Sequence, residues 1–202
     1  MRKPSRCEHG FSLLESLIVI AIMMAMLGMA VVQSFGSMET YRVNAAMDVV
    51  IGQLRVARQL AISQRRTVTV TFNTAANPQT ITYTLVPNAG DISIPPPVTV
   101  SINPQVQFVG LGGEPDTPMA FGTCSGQYGI CVGGLEGGPA IMEFTSLGQF
   151  TDVTGVSTLN GTIFLAVPNK LWTARAVTIM GSTGRVRSYT FVGGTGASAW
   201  TE

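Results

Sequence analysis

One carboxylate interrupts a long apolar run near the amino terminus of this 202-residue chain: Glu15, within Phe11–Val32, FSLLESLIVIAIMMAMLGMAVV. A carboxylate inside a membrane segment costs on the order of 3 kcal/mol on insertion scales, so it needs a function and a cationic partner. Gly10-Phe11 stand directly before the run. Ser12-x-x-Glu15 also has the spacing of a capping box, in which side chains satisfy the first helical amides. The two roles do not exclude each other. Farther along, Cys124 and Cys131 are close enough to close a small loop. Outside the cytoplasm such a pair reads as a disulfide, stabilising by roughly 2–3 kcal/mol; two buried free thiols are the alternative. Arg185 and Arg187 are two apart in a strand-like stretch, so their side chains share a face with Tyr189 and Phe191. Lys170 and Arg175 precede the same hairpin and are expected nearby. A basic pair with aromatics on its face is a candidate phosphate-binding edge with a base-stacking option. A solvated or salt-bridged strand end is the plainer reading.

Much chemistry is excluded. The single histidine, His9, lies in the first ten residues, so the rest of the chain has no Ser-His-Asp or Cys-His arrangement. It lacks the usual transition-metal ligands and any GxxxxGK[ST] phosphate loop. Asp91, Glu114, Asp116 and Glu136 fall in loops but not at EF-hand spacing, so they read as solvated surface. No catalytic residue, metal site or cofactor is expected, and an anchored periplasmic enzyme lacks its catalytic residues.

These groups must be positioned by two kinds of structure. Hydrophobic residues make up 46% and charged residues 11% of the chain, too apolar for disorder. Twenty-two residues of helix span about 33 Å, enough for a bilayer core of ~30 Å. Beyond them Val43, Met47, Val50, Leu54, Ala57 and Ala61 recur at spacings of three and four, so the helix continues with one apolar stripe to about Ser63. Gly28 and Gly36 are weak points in it. From Thr67 the period changes to two. Strands are predicted at 68–72, 81–86, 98–102, 106–109, 141–144, 161–167, 174–180 and 185–192, with a tied hairpin at Cys124–Cys131. Gly193–Glu202, rich in small residues, is predicted to be mobile. The fold class is α+β: a long N-terminal helix packed on a mostly antiparallel sheet domain. The boundaries read as 1–10, 11–38 (apolar half), 39–66 (amphipathic half) and 67–202 (β-rich domain).

The first ten residues carry Arg2, Lys3 and Arg6 against Glu8; without them nine basic residues face ten acidic ones, a net charge of −1. Nucleic-acid binding would therefore need a local patch. The leading cations hold the amino terminus in the cytoplasm and send the remainder outward. Three readings compete for this segment: a secretory signal cut near Gly28-Met29-Ala30, a plain membrane anchor, and a third that uses Gly10, Phe11 and Glu15.

The third gains from a resemblance. Gly10-Phe11-Ser12-Leu13-Leu14-Glu15 behind a short basic leader resembles the signal of type IV prepilins. The resemblance implies cleavage between Gly10 and Phe11 by a prepilin peptidase, and methylation of Phe11. It further implies pairing of Glu15 with the amino terminus of a neighbouring subunit. Five later stretches resemble the GspH/FimT family of pseudopilins and minor pilins: Leu54-Arg55-Val56-Ala57-Arg58-Gln59-Leu60-Ala61, the Val-Thr strand after it, Glu143-Phe144-x3-Gly148, Gly161-Thr162-Ile163, and Gly184-Arg185-Val186-Arg187. Residues 73–139 match least well. The implied role is a structural subunit, either a minor pseudopilin of a type II secretion system or a minor pilin of a type IV pilus. Some DNA-uptake members of the family use the Gly-Arg-x-Arg motif. The implied partners are other pilins through the N-terminal helix, the prepilin peptidase, the inner-membrane assembly platform, membrane lipid and, in the second case, DNA. The implied location is the inner membrane, single-pass, with a periplasmic C-terminal domain drawn into a filament.

Overall fold

The computed structural model describes residues 12–88, 95–123, 129–133 and 141–202, with the backbone alone for 32–37. The chain divides into two compact units, the first ending at Met38 and the second comprising Glu39–Glu202. Helix α1 covers Leu13–Gln64. In the first unit the stretch Leu13–Val31 is long and apolar enough to cross a membrane and is exposed throughout. Such a surface calls for lipid or another apolar helix around it.

In the second unit the amphipathic part of α1 buries the expected stripe. Val43, Val50, Leu54, Ala57 and Ala61 are wholly inaccessible, while Met47 packs at the margin and Ala46 is buried beside it. The β-strands are β1 (Val68–Asn73), β2 (Thr80–Leu85), β3 (Val98–Ser101), β4 (Gln107–Phe108), β5 (Ile130–Val132), β6 (Ile141–Phe144), β7 (Phe150–Thr151), β8 (Gly161–Ala166), β9 (Arg175–Met180), β10 (Arg185–Phe191) and β11 (Trp200–Thr201). They form two antiparallel sheets, ordered β3-β2-β1-β6-β7 and β11-β10-β9-β8-β4, with β5 also paired to β8. The helix stripe shares one apolar core with both sheets, through Val68, Val70, Phe72, Met142 and Phe144 of the first and Ile163, Leu165, Val177 and Ile179 of the second.

β1 alternates buried and half-buried residues, as a one-sided strand should. β8 is buried at every position and β9 at all but its last. A smaller cluster of Phe164, Ala174, Ala176, Tyr189, Ala199 and Trp200 accounts for this, covering the face turned away from the helix.

That second cluster overturns one expectation. Gly193–Glu202 is not a loose tail: Ala197–Ala199 form a 3-10 turn, and β11 pairs with β10, Phe191 opposite Trp200. Trp200 anchors the segment. Its ring lies 5.9 Å from that of Phe164 and 5.4 Å from that of Phe191, and its Nε1 donates to the Pro115 carbonyl at 2.9 Å. The glycines allow the turn, and one buried tryptophan holds it. Of the hairpin expected at Cys124–Cys131, the half at 124–128 lies outside the described residues; Ile130–Val132 pairs with β8.

Candidate functional site

Gly10 and Phe11 lie outside the described residues, but the groups that follow them are placed. The helix opens with the Glu15 and Ser16 amides donating to the Ser12 carbonyl at 3.0 and 3.2 Å. Glu15 occupies the first turn, where the helix dipole favours a negative charge, and it is exposed. Its carboxylate is thus open to a partner from outside the chain. Cys131, on β5, is disulfide-bonded; Cys124 lies outside the described residues. So do Asp91 and Glu136. Glu114 departs from the solvated surface expected of it, because burial pushes its carboxyl up to about 7, against a smaller opposing pull from the Leu111 backbone. Among the described residues no group of three acidic, cysteine or histidine side chains is placed to hold a metal.

The helix end, the β6–β7 turn and the β9–β10 turn meet at one point. Arg58, at the helix end, donates from Nε to the Gly148 carbonyl at 3.2 Å. Gly148 sits in the β6–β7 turn, and its amide bonds the Thr145 carbonyl at 2.8 Å. Gly184, in the β9–β10 turn with φ +62°, lies so close that a Cβ there would fall 2.0 Å from the Gly148 oxygen and 2.9 Å from Arg58 Nε. The three stretches are in close contact there.

Beside this junction is an open pocket of about 590 Å3, lined by Arg55, Arg58 and Gln59 from α1, Arg185 and Arg187 from β10, and Glu202. Arg187 donates to Glu202 at 3.3 Å. Contact with Tyr189, and then the charge of Glu202, raises the Arg187 pKa above its ordinary value. Arg185 is exposed. Arg55 and Arg58 join the basic pair, although the sequence places them on a helix more than a hundred residues away. The stretch Leu54-Arg55-Val56-Ala57-Arg58, one of those that carry the family resemblance, was the signal that could have connected them.

Three expectations about this edge are corrected. Arg175 is not near Arg185: it stands opposite Thr190, at the other end of the hairpin, whereas Arg185 pairs with Met180. Its guanidinium is buried, donating to Asn44 Oδ1 at 2.8 Å and to the Thr173 and Ala174 carbonyls, and burial lowers its pKa. Lys170 forms an ion pair with Glu39. Tyr189 shares the parity of the arginines but is buried under the C-terminal segment, so it offers no ring for stacking. Phe121, half-buried, is the aromatic that lines a small cleft with Arg185 and Arg187.

Residues 5–31 match a family model described as the prokaryotic N-terminal methylation motif. The amino-terminal segment is a type IV prepilin motif, and the apolar stretch Leu13–Val31 within it marks the chain for membrane anchoring. Among solved structures the chain is similar to the type IV minor pilin FimU of Pseudomonas aeruginosa. The match has a TM-score of 0.46 and 15% identity and covers 79% of this chain and 97% of that one. It is also similar to the minor pseudopilin EpsH from the type 2 secretion system of Vibrio cholerae. There the TM-score is 0.43 and the identity 11%, over 73% of this chain and 95% of that one. No curated protein matches it by sequence.

Proposed function

We propose that this chain is a minor pseudopilin, a structural subunit of the periplasmic filament of a type II secretion system. A prepilin peptidase cuts between Gly10 and Phe11, and Phe11 is methylated. The apolar helix holds the subunit in the inner membrane, amino terminus inside and residues 39–202 in the periplasm, until the assembly platform draws it into the filament. The observation that carries this reading is the methylation motif at residues 5–31, which contains an apolar helical stretch that is exposed throughout and bears one exposed carboxylate, Glu15. Such a helix has its partners outside its own chain, and the carboxylate selects one with a free amino terminus.

The test is Glu15→Leu in the native host. The variant is more apolar, so it inserts and is cleaved normally. Its recovery with the other filament subunits falls about tenfold, the factor for loss of an ion pair worth about 1.4 kcal/mol. Export of folded protein falls with it while pili persist. Unchanged recovery would leave Glu15 only its role at the helix start. Loss of pilus functions with export intact would favour the second reading.

That second reading, a minor pilin of a type IV pilus that contacts DNA, has its own support in the four arginines lining one pocket. Binding through such a patch is weak and strongly salt-dependent, because it rests on phosphate contacts. Neutralising Arg185 and Arg187 together should lower the log–log salt slope on duplex DNA by up to roughly 2, at about 0.9 per contact. Fluorescence anisotropy on a soluble fragment beginning near Thr40, at several salt concentrations, measures it. A slope indifferent to both substitutions removes the DNA reading.

A further inference from the structure

The second unit buries or half-buries every described aromatic side chain except two, Tyr41 and Trp172, which are 73% and 50% exposed. They lie at the same end of it. Trp172 is the middle residue of a 3-10 turn, Leu171–Thr173. Lys170, just before the turn, is ion-paired to Glu39, and Arg175, just after it, bonds Asn44. The turn is thereby clamped against the helix segment Glu39–Asn44, the segment that carries Tyr41. Only residues 32–38 separate that segment from Val31, the last residue of the membrane-length stretch. That link is itself part of α1, in which each residue adds about 1.5 Å.

Single exposed apolar residues are ordinary on protein surfaces. A tryptophan and a tyrosine confined to the end that tethers a domain to a membrane segment are a different pattern. Each ring has an apolar body and a polar tip, N–H or O–H, and such rings settle at the level of lipid headgroups. We propose that the Tyr41–Trp172 end of the second unit is a membrane-contact surface, seated in the phospholipid headgroup layer of the membrane that the apolar helix occupies. Trp172 is the main anchor and Lys170 lies beside it. The contact would dock the subunit before assembly and must be released when it is withdrawn. It rests on the membrane anchoring given above but not on the choice between secretion and pilus systems.

The full chain is reconstituted at high lipid excess into vesicles of phosphatidylethanolamine and phosphatidylglycerol, some of it brominated near the headgroup end of the acyl chains. The chain has two tryptophans, and Trp200 is buried. Brominated lipid should quench roughly half of the wild-type tryptophan emission, the Trp172 share, and almost none of the emission of Trp172→Phe. Trp172 is half exposed, so this substitution leaves the fold intact. Equal quenching of the two proteins overturns the proposal. So does quenching that appears only when the protein is crowded in the bilayer, which would assign the surface to a neighbouring subunit. If the chain fails to float with vesicles at all, membrane anchoring itself fails with it.

Discussion

Gly184→Ala will destabilise the second unit by about 3 kcal/mol or more. Two terms add. The residue has φ +62°, where an L side chain costs roughly 1–2 kcal/mol. The new methyl would also stand 2.0 Å from the Gly148 carbonyl oxygen. That atom is backbone, so no rotamer change relieves the clash, and the β9–β10 turn must lift off the β6–β7 turn. Overpacking of this kind costs typically 1–3 kcal/mol. Arg58 is displaced in the same movement, losing its bond to Gly148. For a unit of this size the melting temperature should drop by roughly 10 °C, at about 2–4 °C per kcal/mol. Gly155 is the control, since it has φ +68° but open space where its methyl group would stand, with no neighbouring atom within 4 Å. Gly155→Ala therefore reports the backbone term alone. Thermal melts of the soluble fragment decide the matter: equal losses for the two variants would mean that the helix end and the two turns do not press together. Because Arg185 follows Gly184 directly, the same variant also moves the basic pocket, and anion binding should weaken beyond what the loss of folded protein explains.

The parts of this molecule legible in the sequence are those set by local repetition. The helical stripe Val43–Ala61 and the alternation in Val68–Phe72 each follow from the period of one element, and both sit where their spacing puts them. What depends on distant partners was not legible. Trp200 belongs to a segment of small residues that reads as loose, and the rings of Phe164 and Phe191 with the carbonyl of Pro115 give it a place. Arg175 has the look of a surface residue at a strand end. It is buried because β9 is covered on both faces and because Asn44, on the helix, supplies an acceptor. Phe150–Thr151 is too short for any alternation to show. The basic pocket lies between these cases. Arg185 and Arg187 were recognisable as a pair, but their meeting with Arg55 and Arg58 depends on how two turns and a helix end pack together. The carboxylate of Glu202 beside Arg187 depends in turn on the Trp200 anchor.

Gly10→Leu should abolish processing altogether, a larger effect than any change in folding. The expected cut is at the Gly10–Phe11 bond, and a leucine there puts a branched side chain where the resemblance requires a residue with none. The apolar stretch Leu13–Val31 is untouched, so the variant should still enter the membrane. It should accumulate there with residues 1–10 attached, and two consequences follow. The amino group of Phe11 is never freed, so the neighbour's Glu15 has no cation to meet. Arg2, Lys3 and Arg6 also remain on the chain. Each would have to be drawn into an apolar bundle at a cost on the order of 3 kcal/mol, which pins the leader on the cytoplasmic side. The variant should therefore be absent from the filament, whereas Glu15→Leu is cleaved normally and only poorly incorporated. Mass spectrometry of the amino-terminal peptide separates the outcomes. Wild-type protein should begin at methyl-Phe11 and the variant should retain Gly10→Leu within an uncut leader. A wild-type chain beginning near Val31 would instead identify the segment as a secretory signal, and a Gly10→Leu variant cut normally at Phe11 would show that the glycine plays no part in recognition.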